Sequence, residues 1–299
     1  MRRVTIVGFA GDSGAGKSTY VKAIASLLGP ERVTIIGLDD YHTLDRAQRK
    51  AVGITPLNPR CNDLGLLVDH AWQLRRGETI VKPVYDHSTG TFAAPETVTP
   101  GDFVILEGLH ALYLEMLRAA EDLRIYFDTD PELKLRWKIE RDVADRGHTL
   151  EQVQQEIAMR QPDIRAYVEP QKVHADLIIQ LAPKEGSAKE IKVYLWERPS
   201  PHSIHSRLAR GTWLERLGIV AGARAVDGQT FETLELRETV PPETARALLA
   251  ELGVTAPAAA AAAATGLDPV ALSHFLVAWR ILACRQAATE VLAAHAAQG

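Results

Sequence analysis

The sequence predicts an α/β fold of three layers, in which helices cover both faces of a mostly parallel sheet and a small C-terminal α+β unit extends the main body. Two observations lead to this prediction. Short β-branched runs alternate with helical segments through the first two thirds of the chain, as expected for a parallel sheet whose strands are joined by helices. After about Pro199 this alternation weakens, which marks the start of the smaller unit.

The individual elements follow from apolar periodicity and from start and stop signals. The predicted strands are Val4–Phe9, Val33–Leu38, Phe103–Leu106, Leu123–Phe127 and Asp176–Leu181. The predicted helices are Lys17–Leu28, Leu64–Arg75, His110–Ala120, Pro131–Asp145 and Leu150–Arg160. Asp130 can cap the fourth helix, and Pro131 suits its first position. Segment Thr79–Phe92 predicts a hairpin at the sheet edge, because Pro83 interrupts its apolar run before the turn at residues 88–90.

The chain is expected to form two domains, residues 1–199 and residues 200–299. A length of 299 residues is typical of about two domains. Residues 200–240 contain a turn at Val226–Gly228 between candidate strands, and residues 243–295 are helical in character. The seven consecutive alanines from Ala258 to Ala264 predict a loop or a plain helical turn without chemistry of its own.

Composition excludes several classes of protein. With 46% hydrophobic and 24% charged residues the chain is not disordered, and its net charge of -4 provides no general basic surface for nucleic acid or anionic membrane. No apolar run reaches the ~18 residues of a membrane span. Two cysteines, Cys61 and Cys284, cannot build a disulfide framework. We therefore expect a cytoplasmic protein with a small-molecule substrate and with neither nucleic-acid nor membrane partners.

The strongest motif is a phosphate cradle between the first strand and the first helix, with the pattern G-x-x-x-x-G-K-S/T. Its glycines let backbone amides surround phosphate oxygens, the helix N-terminus adds its dipole, and Lys17 supplies a mobile positive charge. The hydroxyl of Ser18 is a candidate ligand of Mg²⁺. The predicted nucleotide-binding residues are Gly11, Asp12, Ser13, Gly14, Ala15, Gly16, Lys17, Ser18 and Thr19.

The cradle alone does not distinguish a kinase from an ATPase or a GTPase. The sequence lacks an N-K-x-D string for guanine, and the third strand leads into Glu107 rather than a D-x-x-G switch, which argues against a GTPase. The carboxylate of Glu107 can hold Mg²⁺ directly or through water. The alternative is that Glu107 caps a helix or pairs with a basic residue.

Candidate residues for the phosphoryl acceptor follow the second strand. Asp39 or Asp40 can accept the proton of an attacking hydroxyl, and Asp39 is also a candidate Mg²⁺ ligand. Arg46, Arg49 and Lys50 share a face if this segment is helical, so they predict a second phosphate site near His42. A solvated basic face is the alternative.

Two further groups complete the predicted site. Strand alternation places Tyr85 and His87 on one side of the hairpin, where they either contact the substrate or simply pack. The fourth helix carries a stripe of charge that ends at a glycine, which suits a lid that brings arginine over the transferring phosphoryl group; a charge-paired surface helix is the alternative. The stripe consists of Lys138, Arg141, Asp142 and Arg146.

With these groups in place, the sequence resembles the phosphoribulokinases of plants and cyanobacteria, within the phosphoribulokinase and uridine kinase superfamily. The matching stretches are GDSGAGKST, LDDYHTLDRAQRK, KPVYDHSTGT, LEGLHALY, WKIERDVADRGHT and ADLIIQL, and the C-terminal part matches only loosely. The resemblance implies a P-loop kinase fold and Mg²⁺-dependent transfer of phosphate from ATP to O1 of D-ribulose 5-phosphate, a Calvin-cycle reaction. It also implies a homodimer joined through sheet edges.

Carried over residue by residue, the resemblance makes Asp39 the general base, with Lys17, Arg141 and Arg146 as the other catalytic groups. The expected substrate-binding residues are His42, Arg46, Arg49, Arg60, Tyr85, His87, Lys138 and Arg160. One alternative is a uridine or cytidine kinase of the same superfamily. Another is a nucleotide-responsive scaffold that binds partner proteins through residues 200–299.

We predict that thiol oxidation does not switch this protein off. Photosynthetic members of the family that it resembles have a regulatory cysteine in the cradle and another just before the paired aspartates, whereas this chain has Ala15 and Gly37 there. Cys61 and Cys284 match neither position. Kinase activity should therefore be unchanged by a mild oxidant, and recovery of lost activity with dithiothreitol would contradict the prediction.

Overall fold

Residues 3–144, 149–187, 190–226 and 228–296 are described by a computed structural model. They group into two units. The first consists of Met1–Lys17 and Thr34–Ala175, and the second of Ser18–Val33 and Asp176–Gly299. The strands, in chain order, are β1 (Thr5–Gly11), β2 (Val33–Gly37), β3 (Ile80–Asp86), β4 (Thr91–Val98), β5 (Phe103–Gly108), β6 (Leu123–Thr129), β7 (Leu177–Pro183), β8 (Ile191–Glu197), β9 (Val220–Val226) and β10 (Gln229–Leu236).

The sheet of the first unit has the strand order β2-β5-β1-β6, and β1 pairs in parallel with both β5 and β6. Every residue of β1 is buried, because a strand in the middle of a parallel sheet is covered by helices on both faces. The predicted strands are confirmed, with ends that differ by at most two residues. The α/β fold class with a mostly parallel sheet is confirmed as well.

The helices are α1 (Lys17–Leu28), α2 (Arg46–Val52), α3 (Leu64–Arg75), α4 (Glu115–Arg118), α5 (Pro131–Ala144), α6 (Leu150–Asp163), α7 (Ile204–Ala209), α8 (Trp213–Arg216), α9 (Pro242–Leu252), α10 (Pro257–Thr265) and α11 (Pro269–Ala296). Two predicted helices have the predicted bounds, α1 and α3. The alanine run lies in α10, so it is helical. None of the helices in the described ranges has both the length and the apolar character needed to cross a lipid bilayer.

The helix predicted at His110–Ala120 is wrong except for its four-residue core, α4. A buried glutamine competes for the backbone of the preceding turns: Gln171 Oε1 accepts the Leu112 amide at 2.9 Å, and Gln171 Nε2 donates to the Leu109 carbonyl at 2.7 Å. The guanidinium of Arg118 donates to two further carbonyls in this segment. These bonds satisfy the backbone without helical geometry.

The predicted hairpin forms, but it is not an edge of the main sheet. β3 and β4 make a separate antiparallel sheet that continues to Val98, with a register shift between Lys82 and Val84. Pro83 lies at this irregularity, where it cannot donate a ladder hydrogen bond. The hairpin packs instead against a short 3₁₀ turn, Leu38–Tyr41, that follows β2.

The second unit contains an antiparallel sheet in the order β7-β8-β10-β9 and the helices from α7 onward. β7 and β8 precede residue 200 but belong to this unit, and the domain division at residues 199 and 200 stays a prediction. Glu197 at the end of β8 is buried, accepts the Ile204 amide at 2.6 Å and pairs with Arg280 of α11 at 2.5 Å. Burial raises the pKa of Glu197 to about 7.

A close contact at the end of β5 sets the position of the 3₁₀ turn. A Cβ added at Gly108 would lie 2.5 Å from Leu38 Cβ and 2.9 Å from Leu38 Cγ. The side chain of Leu38 is buried and immediately precedes Asp39. Glycine at position 108 therefore allows the segment with the paired aspartates to approach the sheet.

We predict that Gly108→Ala destabilises the first unit and displaces the turn. Because the clash is with the first side-chain carbon of Leu38, the backbone must move, and overpacking of this kind typically costs about 1–3 kcal/mol. The matched control is Gly65→Ala in α3, where an added Cβ has nothing nearer than 3.6 Å. Urea unfolding should show a loss for Gly108→Ala only; equal midpoints for both variants would contradict the prediction.

Candidate active site

The cradle is a tight turn between β1 and α1. Gly14 and Gly16 have φ values of 77° and 92°, which residues other than glycine rarely adopt. A Cβ added at Gly11 would lie 2.2 Å from the Phe127 carbonyl oxygen. The buried Lys17 bends back over the turn, and its Nζ donates to the Asp12 carbonyl at 2.8 Å. A loop whose backbone closes around this ammonium group fits the phosphates of a nucleotide.

Hydrogen bonds hold the cradle in this shape. Asp12 does so through its carboxylate, which accepts the Ser13 amide at 2.7 Å and pairs with Lys134 of α5 at 2.6 Å. Thr129, at the end of β6, donates its hydroxyl to the Ala15 carbonyl at 2.8 Å. Sequence reasoning missed Lys134, because a lysine at the start of a charged helix has no local signal for a partner more than a hundred residues away.

The candidate Mg²⁺ ligands Ser18 and Glu107 both carry side-chain oxygens. Ser18 is the second residue of α1 and is exposed. Glu107 is half-buried and lies opposite Phe9 in the pairing of β5 with β1. Phe9 precedes the first residue of the cradle by two positions. A hydroxyl and a carboxylate are oxygen ligands of the kind that Mg²⁺ prefers, so both residues fit the proposed ion.

The two adjacent aspartates have different environments. The carboxylate of Asp40 accepts from Lys82 Nζ at 2.6 Å and from the Tyr85 amide at 2.9 Å, so it joins the 3₁₀ turn to β3. Lys82 is buried, and sequence reasoning missed it. Asp39 makes no comparable bond to any residue that the structure describes: its side chain is 40% exposed and lies 3.5 Å from His87 Nε2. The sequence left both aspartates open as the base, and this geometry favours Asp39.

Arg49 is buried, whereas Arg46 and Lys50 are exposed, so the three do not form one solvent-facing stripe. The Arg49 guanidinium donates to the Leu44 carbonyl at 2.5 Å and to the Tyr85 hydroxyl at 2.7 Å. The Tyr85 hydroxyl in turn donates to the Gly90 carbonyl at 3.0 Å. Arg49 and Tyr85 therefore bind each other and fix the hairpin next to α2.

The exposed end of α2 also contacts the hairpin turn. The Arg46 guanidinium donates to the His87 carbonyl at 2.6 Å, and the Arg46 amide donates to the Gly90 carbonyl at 2.8 Å. The His42 and His87 rings both meet Tyr85 edge-on, with centroids at 4.9 Å and 5.2 Å. Five of the predicted substrate residues thus form one cluster with Asp39, namely His42, Arg46, Arg49, Tyr85 and His87.

The other predicted residues are less directly connected. Arg60 is exposed on a turn, Pro59–Cys61, that is joined to His42 through the pairing of His42 with Asn62. Lys138 is buried in α5, and Arg160 is half-buried in α6. The side chain of Arg141 and all of Arg146 lie outside the described residues.

Comparison with known proteins supplies the family. A model described as the phosphoribulokinase / uridine kinase family matches residues 6–188. The chain belongs to this family. The phosphoribulokinase of Synechocystis sp. is 49% identical over 200 residues, 66% of this chain and 60% of that protein. The chloroplastic phosphoribulokinase of Mesembryanthemum crystallinum is 40% identical over 236 residues, 70% and 59% of the two chains.

Other family members are more distant. A uridine kinase from Staphylococcus epidermidis is 35% identical over 195 residues, 63% of this chain and 92% of that one. The solved phosphoribulokinase from Rhodobacter spheroides shares the fold, with a TM-score of 0.56, 20% identity, and coverage of 78% of this chain and 90% of that one. The chain spans about 60% of the length of the phosphoribulokinases from Synechocystis and Mesembryanthemum.

We predict that Asp40 contributes to the free energy of unfolding and that Asp39 contributes little. Asp40→Ala removes the acceptor of the Tyr85 amide and the nearer of two carboxylate partners of the buried Lys82 ammonium, which keeps only Glu96 at 3.1 Å. The loss should cost about 1–3 kcal/mol. Asp39→Ala removes only a long contact at an exposed group, so its effect should stay within about 0.5 kcal/mol. Chemical denaturation of both variants measures the difference, and equal losses would show that Asp40 does not hold the hairpin.

Proposed function

We propose that this chain is a phosphotransferase that moves the γ-phosphoryl group of ATP directly to O1 of D-ribulose 5-phosphate, forming ribulose 1,5-bisphosphate and ADP. The observation that supports this most directly is the accessible carboxylate of Asp39 beside a cluster of histidine and arginine side chains, in the same unit as residues 11–17 of the phosphate cradle. The similarity to named phosphoribulokinases over two thirds of the chain supports the choice of acceptor.

The nucleotide phosphates would bind the amides of residues 11–19, with Lys17 as their mobile cation. Ser18 and Glu107 would hold Mg²⁺, with Asp39 as a further ligand. When bound, this ion neutralises charge on the β- and γ-phosphates. The shape of the cradle, with backbone angles at Gly14 and Gly16 that favour glycine, supports this arrangement.

Asp39 would orient the O1 hydroxyl and accept its proton as O1 attacks phosphorus, while ADP leaves from the opposite side. No phosphorylated enzyme forms in this scheme. Arg141 and Arg146 would neutralise charge on the equatorial oxygens from the lid, together with Lys17. Asp40 cannot serve equally well, because both of its oxygens already accept hydrogen bonds.

Cationic side chains other than Arg49 would bind the existing phosphate of the sugar. These are Arg46, Arg60, Lys138 and Arg160. Arg49 and Tyr85, which bond to each other, would shape the pocket around the sugar. A uridine or cytidine kinase is the alternative within the family, but a nucleoside carries no phosphate that would require this number of cations. A homodimer and a cytoplasmic location stay predictions.

We predict that Asp39→Asn lowers kcat by about 10²–10⁴-fold, the usual effect of losing a general base. Asparagine keeps the size of the side chain and one oxygen that can face Mg²⁺, so binding of ATP measured by calorimetry should change little. A near-normal kcat would assign the base to Asp40.

The acceptor is tested by following ADP release with ribulose 5-phosphate, ribose 5-phosphate, uridine and cytidine. We expect the highest kcat/KM with ribulose 5-phosphate. Higher turnover with a nucleoside would favour the uridine kinase alternative, and ATP binding without turnover on any acceptor would favour the scaffold.

A further inference from the structure

Asn62 contacts the imidazole of His42, and the surroundings of Asn62 fix which way its amide points. Asn62 Nδ2 donates to the Asn58 carbonyl at 2.9 Å and lies 3.4 Å from the Pro56 carbonyl. Carbonyl oxygens only accept hydrogen bonds, so the atom that faces them must be the NH₂ group. The opposite atom, Asn62 Oδ1, therefore faces His42 Nδ1, at 2.7 Å.

This orientation determines where the proton of His42 lies. Asn62 Oδ1 has no hydrogen to give, so His42 Nδ1 must carry the proton of their hydrogen bond. The backbone supports the contact on both sides: the Thr43 amide donates to the Cys61 carbonyl at 2.9 Å, and the Asp63 amide donates to the Tyr41 carbonyl at 2.7 Å. The two side chains are thus held opposite each other.

The second nitrogen of His42 is then a hydrogen-bond acceptor. In the neutral imidazole only one nitrogen carries a proton, so with that proton on Nδ1 the lone pair lies on Nε2. Nε2 has no hydrogen-bond partner among the residues that the structure describes. It is also not one of their fully buried polar atoms that lack a partner. The backbone amide of His42 donates to the carbonyl of Asp39, the proposed base, at 3.2 Å.

We propose that Asn62 is a positioning residue that fixes His42 as the Nδ1-protonated tautomer, so that Nε2 accepts a hydrogen bond from a hydroxyl of the sugar rather than donating one to its phosphate. This inference rests on the proposed function and refines it. A phosphate dianion has no proton to give to Nε2, and its oxygens would meet a lone pair there. The site thereby separates recognition of the sugar hydroxyls from recognition of the phosphate, which falls to the arginines.

The tautomer can be observed directly in the unmodified protein. Long-range ¹H–¹⁵N spectra distinguish protonated from bare imidazole nitrogens, and the His42 signals are those lost in His42→Gln. At neutral pH we expect a protonated Nδ1 and a bare Nε2. Asn62→Ala should allow Nε2 to take the proton, whereas the matched control Asn58→Ala should leave it on Nδ1, because the Asn58 side chain caps the Arg60 amide instead. A protonated Nε2 in the unmodified protein overturns the proposal.

Kinetics tests the consequence. Loss of one neutral hydrogen bond in Asn62→Ala should raise the KM for ribulose 5-phosphate by about 3–10-fold. The KM for ATP and the inhibition constant of inorganic phosphate, used as a competitor of the sugar phosphate, should not change. If His42 instead donates to the phosphate, Asn62→Ala should leave the KM unchanged or tighten phosphate inhibition, and either result overturns the proposal.

The two proposals fail in different ways. Absence of turnover with ribulose 5-phosphate contradicts the proposed function, while the tautomer of His42 is still measured by its ¹⁵N signals. Conversely, rapid turnover with a protonated Nε2 keeps the function and removes the role of Asn62.

Discussion

The acceptor side of the site depends on the carboxylate of Asp40. It accepts one hydrogen bond from a buried lysine and one from a backbone amide of the hairpin, so it connects two segments more than forty residues apart in sequence. Asp39 and Asp40 belong to a 3₁₀ turn, in which successive side chains point about 120° apart because there are three residues per turn. When Asp40 faces the hairpin, Asp39 must face elsewhere. One aspartate therefore builds the site, and its neighbour stays available for chemistry.

A similar division applies to the basic residues. Arg49 lies inside the protein, where its donors bond to a carbonyl and to the Tyr85 hydroxyl, and its charge is stacked 5.1 Å from the Tyr85 ring. Arg46, one helical turn earlier, is exposed, and within the described residues its guanidinium donates only to a backbone carbonyl of the hairpin turn. The rigid planar guanidinium of a buried arginine can fix a pocket wall. The exposed cations are then left to meet an anionic substrate.

The sequence predicted those features that depend on local pattern. Apolar β-branched runs identified the strands, and the spacing of glycines and Lys17 identified the cradle, because both patterns reflect constraints within a few residues. The helix at His110–Ala120 could not be corrected from sequence, since the competing hydrogen bonds come from Gln171. The same limit applies to Lys82 and Asn62. Their importance arises from partners that only the fold brings near, so no local signal distinguishes them from ordinary polar residues.

Ala15 lies in the cradle and Gly37 lies on the acceptor side, and the surroundings of the two positions differ. Ala15 is buried, and its carbonyl accepts the Thr129 hydroxyl, so this part of the loop is closely enclosed. At Gly37 an added Cβ would lie 3.9 Å from Asp40 Oδ2, the oxygen that binds Lys82. A side chain at position 37 would thus project next to the ion pair that holds the hairpin. Chemical modification of a side chain at position 37 would disturb the ion pair between Asp40 and Lys82. Glycine at this position has no reactive group to modify.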